Sequence, residues 1–423
     1  MSVVKVDAST GCLLIDGKKV FPIVLSEPPP LGATTLDGKD AWAEVAAAGA
    51  NFIRSGRNDW NLQSIDQQVA TERTRLDAAQ AHGLHCWLRL ANVANLPAPS
   101  GSPSTNEQLL DKIVNAFKGH AGLGAYKGVD EPANPNRPAA IAADGLVRAH
   151  QKLKALDPNH PLTITQAPLV QSVDFTPYRP AFDITGADIY PVAYPPGDHT
   201  DLPNKDISVV GDLTKIMVRA AGGKPVWMTL QIAWSGVLPT RQHPELVPRF
   251  PTLQEERFMV YQAIIDGARG LVFFGGDLSE VMRTRDAKAG WNWTFWNLVL
   301  RALLVELTSP TVQPALLAAN APTPVKTATS DIEIATRQND TYLYVIAVRR
   351  GSTTSQVVFT GLPSTHSGAP ITGGEVAFEY AQNPLPPPPQ PDKQVFRSVG
   401  VANDSFHDWF GPHDTHVYRF KLA

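Results

Sequence analysis

Asp130-Glu131-Pro132 closes an apolar run from Gly124 to Val129 and sets two adjacent carboxylates where a buried strand stops. Proline has no N–H for a further ladder bond, so the strand ends there. A carboxyl at the dry rim of a core has a raised pKa, because burial disfavours the charged form. A glutamic acid kept protonated in this way suits proton donation as a general acid. If strand geometry persists, side chains alternate, so Asp130 points the other way and is a structural partner rather than a second catalyst. The bland role for Glu131 is an ion pair with Arg54 or Arg89.

Such a carboxylate needs a frame. Eight short apolar runs alternate with helical patterns: Val20 to Leu25, Asn51 to Arg54, Leu84 to Leu90, Gly124 to Val129, Leu162 to Thr165, Phe182 to Ile189, Val226 to Leu230 and Gly270 to Phe274. Helical periodicity covers Asp37 to Ala48, Ile65 to His82, Asn106 to Phe117, Pro138 to Leu156, Ile207 to Ala221, Thr252 to Ala268 and Asn292 to Leu307. A short irregular crossover joins the fifth and sixth strands. Gly49 and Gly83 sit where helix C-termini want them. Runs of this kind are strands of a parallel sheet buried on both faces. Eight such units predict an α/β fold, a (β/α)8 TIM barrel over residues 1–312, in preference to a doubly wound open sheet. After Pro310 the pattern changes. Thr341 to Val348, Gln356 to Thr360, Glu375 to Tyr380 and Thr415 to Phe420 read as strands between turns. They predict an antiparallel β-sandwich over 313–423, with the proline-rich stretch Pro384 to Pro391 as a loop.

A barrel of this type builds its site just after each strand, at the C-terminal mouth. That rule selects Glu27, Arg54, Asn58, Arg89, Glu131, Gln166, Asp188, Tyr190, Gln231, Trp234 and Asp277, with Trp291 and Trp293 following the eighth strand. Carboxylates, guanidinium groups, amides and aromatic rings together suit sugars, which offer flat apolar faces and paired hydroxyls. The tryptophans serve equally well as core filling under the loops. Cleaving a glycosidic bond takes two carboxyls flanking it. The seventh strand ends in Gln231, which is neither nucleophile nor base. The second carboxylate is therefore Asp188, two strands from Glu131, Glu27, three away, or Asp277, across the barrel, with Asp188 favoured.

Composition excludes several classes. A net charge of −3 gives no electrostatic case for nucleic acid or an anionic membrane. No apolar stretch is long enough to cross a bilayer, and MSVVKVDAST lacks a signal core, so cytoplasm is the default; an exported chain whose leader had been cleaved reads the same. Cys12 and Cys86 lie beside apolar residues and read as buried thiols. No G-x-S-x-G, Walker A or strand-linked G-x-G-x-x-G occurs, and the histidines show no zinc spacing. No metal and no cofactor is expected.

These residues resemble the large clan of (β/α)8 glycosidases, which carry an acid/base glutamate after strand four. Asp130-Glu131-Pro132 occupies that place, and Gly270-Leu-Val-Phe-Phe-Gly275 is similar to the clan's eighth strand. Phe406-His-Asp-Trp-Phe-Gly-Pro-His-Asp-Thr-His-Val-Tyr418 resembles the closing strand of the sandwich often attached to such barrels. The clan's nucleophile glutamate follows strand seven, where this chain has Gln231. The resemblance implies a glycoside hydrolase acting on an oligo- or polysaccharide, with Glu131 as general acid and Asp188 or Glu27 as nucleophile or base. The glutamine motivates the alternative, a carbohydrate-binding barrel that has lost its chemistry.

Overall fold

The computed structural model describes residues 2–136, 140–171, 173–195, 199–234, 238–363, 365–366, 369–378 and 396–422. Pro138, expected to start a helix, Tyr380 and the Pro384 to Pro391 loop fall outside them. By contacts the chain divides into two units, residues 1–250 with 268–294, and 251–267 with 295–423.

The first unit holds eight parallel strands: β1 (Ile23–Leu25), β2 (Phe52–Gly56), β3 (His85–Arg89), β4 (Leu123–Asp130), β5 (Leu162–Gln166), β6 (Ile184–Ala187), β7 (Trp227–Gln231) and β8 (Gly270–Phe274). They bond in the order β7-β8-β1-β2-β3-β4-β5-β6. Parallel bridges Thr185↔Val226 and Asp188↔Thr229 then join β6 to β7 and bring the sheet nearly to closure. Every residue of β1, β5, β6 and β7 is buried, as a sheet covered on both faces requires. The predicted barrel is the fold.

Helices of this unit that follow strands include α1 (Ala41–Ala47), α2 (Ile65–Ala81), α3 (Thr105–Phe117), α4 (Ala143–Leu156) and α5 (Val209–Ala221). Local chemistry sets their ends. The Asp40 carboxylate accepts from Ala43 N at 2.8 Å, so α1 starts later than its periodicity suggested. In α3, Ser104 and Glu107 form a reciprocal capping box, and Leu109, Leu110, Ile113, Val114 and Phe117 make the buried face. Among the described residues between β5 and β6, the helical element is a 3-10 segment, Thr176–Ala181, the irregular crossover expected there.

The first predicted run splits in two. Val20 belongs to an antiparallel ribbon, Val4–Val6, Leu13–Ile15 and Lys18–Val20, and the barrel strand begins at Ile23. Val4, Leu13 and Ile15 pack against Val24, Phe52, Trp87, Ala125, Ile184, Trp227 and Val272. This ribbon floors the barrel and leaves the C-terminal mouth as its open end.

In the second unit, a six-stranded antiparallel sheet contains Ile332–Gln338, Tyr342–Arg349, Thr415–Lys421, Gly373–Ala377 and Arg397–Gly400. A three-stranded sheet contains Ser355–Thr360 and Ser405–Phe410. Val345, Val357, Phe359, Phe406, Phe410, Tyr418 and Phe420 form the core of this sandwich. A sixth helix, α6 (Leu253–Ile265), groups with this unit. Arg257 Nε donates to both Glu306 carboxylate oxygens, at 2.9 and 3.0 Å, and its Nη1 donates to Thr415 O at 2.6 Å.

Closure between β6 and β7 depends on Gly186, where an added Cβ would lie 1.6 Å from Trp227 O. Both contacting groups are backbone and cannot turn aside. Gly186→Ala is expected to cost about 3 kcal/mol, the upper end for overpacking a core, and to lower the melting temperature measured by calorimetry. Gly101→Ala, where nothing lies within 4 Å, should leave it unchanged. Equal melting temperatures for the two variants would refute the tight closure.

Candidate active site

A cavity of about 240 Å³ opens in the barrel mouth. Its lining includes Arg54 from β2, Trp87 from β3, Lys127 and Asp130 from β4, Thr165 from β5, Thr229 from β7 and Phe274 from β8. The loops after the strands add Glu131, Asp188, Tyr190, His199 and Trp234.

Glu131 sits at φ 45°, a left-handed backbone that a glutamate seldom adopts. Three hydrogen bonds hold the turn. Glu131 N donates to Thr165 O at 2.8 Å, Asn134 N donates to Glu131 O at 3.1 Å, and Asn134 Nδ2 donates to Glu131 Oε2 at 2.7 Å. The β4–β5 register also shifts between Lys127 and Asp130. Strand alternation therefore fails here, and Asp130 faces the same cavity as Glu131 instead of pointing away. As expected, Asp130 is nonetheless a structural partner. Lys127 Nζ donates to its Oδ1, and Arg89 Nη2 lies 3.8 Å from its Oδ2. Burial alone would raise the Asp130 pKa; the cations Lys127, Arg89 and Arg54 outweigh it and hold the carboxyl below its usual range.

Asp188 is the third carboxyl of the cavity, with Asp130 and Glu131. Its pKa is held well above the usual range, first by burial, then by the charges of Glu131 and Asp130, and by a hydrogen bond with the Glu131 side chain. Asp188 therefore keeps its proton to higher pH than a free aspartate, beside the Glu131 carboxyl. His199 borders Asp188, with Nε2 3.7 Å from Oδ2. Tyr190 N donates to His199 Nδ1 at 3.0 Å, which leaves Nε2 to carry the proton of the neutral ring. Burial pushes the His199 pKa down to about 3, so the ring is uncharged at neutral pH. Tyr190 stacks between His199, at 4.3 Å, and Phe274, at 5.2 Å, and Trp234 meets His199 edge-on at 4.5 Å. These rings form an aromatic wall of the cavity beside Asp188.

Of the sequence-selected residues, Glu131, Asp188, Arg54, Tyr190 and Trp234 meet in this cavity. Glu27 does not line it. Its carboxylate pairs with Arg54 and accepts from Ser26 Oγ at 3.2 Å and Gly275 N at 3.3 Å. Burial raises its pKa, and Asp277 adds to that while Arg54 opposes it. The remaining seven lie outside the lining, each for a visible reason. The Gln231 amide is used at both ends by Val192, accepting from N at 2.8 Å and donating to O at 3.0 Å. Thr229 rather than Gln231 is the β7 group in the cavity. Gln166 is buried on the face opposite Thr165. Asn58 is exposed, and Arg89 is turned to Asp130. Asp277 is set beside Glu27. Trp291 and Trp293 are core: their rings meet edge-on at 4.9 Å, and Trp291 Nε1 donates to Glu27 O at 2.7 Å.

Lys127, His199, Trp87 and Thr165 were missed. Lys127 had a signal, a charge inside an otherwise apolar run, which in a strand buried on both faces must point into the barrel. His199 had none, because it reaches the cavity from a loop. Among the described residues no cluster of His, Cys, Asp and Glu is arranged to hold a metal ion, and no helix is long and apolar enough to cross a membrane.

No family model matches the chain, and no curated protein matches it in sequence. Solved structures do. A glycoside hydrolase family 5 protein from Bacteroides vulgatus ATCC 8482 aligns with TM-score 0.60 and 11% identity, over 99% of this chain and 93% of that one. A GH30 endoxylanase from Clostridium papyrosolvens C71 aligns with TM-score 0.52 and 10% identity, over 96% and 97%. A family 51 α-L-arabinofuranosidase from Bifidobacterium longum aligns with TM-score 0.51 and 11% identity, over 99% and 97%. At such identities the likeness is one of fold, and no family is assigned by it.

The raised Asp188 pKa sets a pH dependence. The unfolded aspartate ionises near pH 4, while the folded one keeps its proton to higher pH. Between the two values the folded state binds more protons, so stability falls as pH rises, by up to about 1.4 kcal/mol per pH unit. Asp188→Asn removes that loss. Chemical denaturation across pH 4 to 9 should show the variant gaining on the wild type as pH rises. Parallel curves would contradict the assignment.

Proposed function

We propose that this protein is a glycoside hydrolase whose working carboxyls are Glu131 and Asp188. The observation that carries the reading is the meeting of these two carboxyls and an aromatic wall in one cavity of a barrel mouth. The fold it shares with solved glycoside hydrolases supports the class. In this reading Asp188 holds the proton at rest. As a sugar enters, the proton passes from Asp188 to Glu131 while the two are in contact, and the sugar then separates the carboxyls. Glu131 then protonates the leaving oxygen, and ionised Asp188 acts as nucleophile or as base for water. Tyr190, Trp234 and Phe274 supply flat apolar surface for the ring. Arg54, Lys127 and Thr165 hold its hydroxyls. Glu27 fixes Arg54 rather than reacting, since its oxygens are occupied by Arg54, Ser26 and Gly275.

A specific observation also keeps the binding alternative in view. The end of β7 gives the cavity Thr229 and no carboxylate. The two readings separate on a panel of aryl glycosides and oligosaccharides. Hydrolysis by the wild type, with kcat reduced about 10²- to 10⁴-fold in Glu131→Gln and comparably in Asp188→Asn, is the expected result. Unchanged turnover in Glu131→Gln removes it from the chemistry. Calorimetric binding of oligosaccharides with no turnover of any substrate would replace the hydrolase with the binding barrel.

A further inference from the structure

The hydrolytic reading gives Lys127 only a hydroxyl to hold, yet its placement is that of a nucleophile. Its side chain is 3% exposed, and it nevertheless lines the cavity. Nζ lies 4.7 Å over the Trp87 ring and donates to Asp130 and, at 3.3 Å, to Thr165 Oγ1. Asp130 is 36% exposed, so it stands on the mouth side of the amine. A carbonyl entering from the mouth meets a lysine with a proton acceptor at its nitrogen and a carboxylic acid, Asp188, on the same cavity.

We propose that Lys127 is a Schiff-base lysine, taking short hydroxylated aldehydes or ketones such as open-chain sugars as its carbonyl partners. Imine formation asks for an amine that can lose its proton, an acceptor for that proton, and an acid for the carbonyl oxygen. The cavity supplies all three. Asp130 accepts one proton from the Lys127 ammonium, and the freed electron pair attacks the carbonyl carbon. Asp188 protonates the carbonyl oxygen and then takes a proton from the new C–N nitrogen. Asp130 returns its proton to the carbinolamine hydroxyl. That hydroxyl leaves as water while the nitrogen electron pair forms the C=N bond. Both acids end in their starting states, and the products are a protonated imine and one water. Burial lowers the Lys127 pKa while Asp130 opposes the shift, which leaves the amine easier to deprotonate than an exposed lysine. At about 240 Å³ the cavity has room for a carbonyl compound of about three to six carbons.

This activity does not depend on hydrolysis, and its test does not use a glycoside. The full-length protein is incubated with glyceraldehyde and sodium cyanoborohydride, which reduces an imine to a stable secondary amine. Labelled lysines are then located and timed by peptide mass spectrometry. Lys39 and Lys112, whose side chains are 66% and 51% exposed, are the internal reference. Labelling of Lys127 at least about tenfold faster than either, a ratio worth 1.4 kcal/mol of barrier, and saturating with aldehyde, is expected. Lys127→Arg keeps a cation beside Asp130 and should show no label at that position. A lysine that merely neutralises Asp130 would label no faster than the exposed ones, and that result overturns the proposal.

Discussion

Two negative charges cannot be kept side by side in a small, poorly hydrated cavity, and the arrangement of the barrel mouth follows from that limit. Asp130, Glu131 and Asp188 all reach one space. Lys127 neutralises the first, and Asp188 meets the limit by holding a proton. Glu27, just outside, is matched by Arg54. Removing any one of these compensations would leave a neighbour buried and unbalanced, which costs more than a typical surface ion pair is worth. The carboxyls are thus neither independent nor interchangeable.

The same balance explains why some elements were legible in the sequence and others were not. The barrel was readable because each strand is buried on both faces, and a run such as Leu162-Thr-Ile-Thr-Gln166 leaves little else to be. Asp188 and Glu131 were reachable by the rule that mouths carry sites. Lys127 escapes a rule about strand ends because it lies inside β4. Asp130 was misdirected because alternation was extended one residue past the point where the backbone turns left-handed. No composition rule marks a glutamate at φ 45°.

Gln231 shows the opposite failure. A polar residue at the end of a barrel strand was assigned to the substrate, yet its amide serves the Val192 backbone. A primary amide holds a donor and an acceptor side by side, so one side chain satisfies both the N–H and the C=O of a single residue, and burial at that position demands both. Trp291 and Trp293 were ambiguous for a related reason. A large ring near a mouth fills a core as readily as it faces a ligand, and only the partner of its N–H tells which.

The ribbon beneath the barrel gives the mouth one more property. Val4, Leu13 and Ile15 lay hydrocarbon across the floor. Hydrocarbon screens charge poorly, so the carboxyls and cations of the mouth feel one another across the cavity more strongly than they would over water.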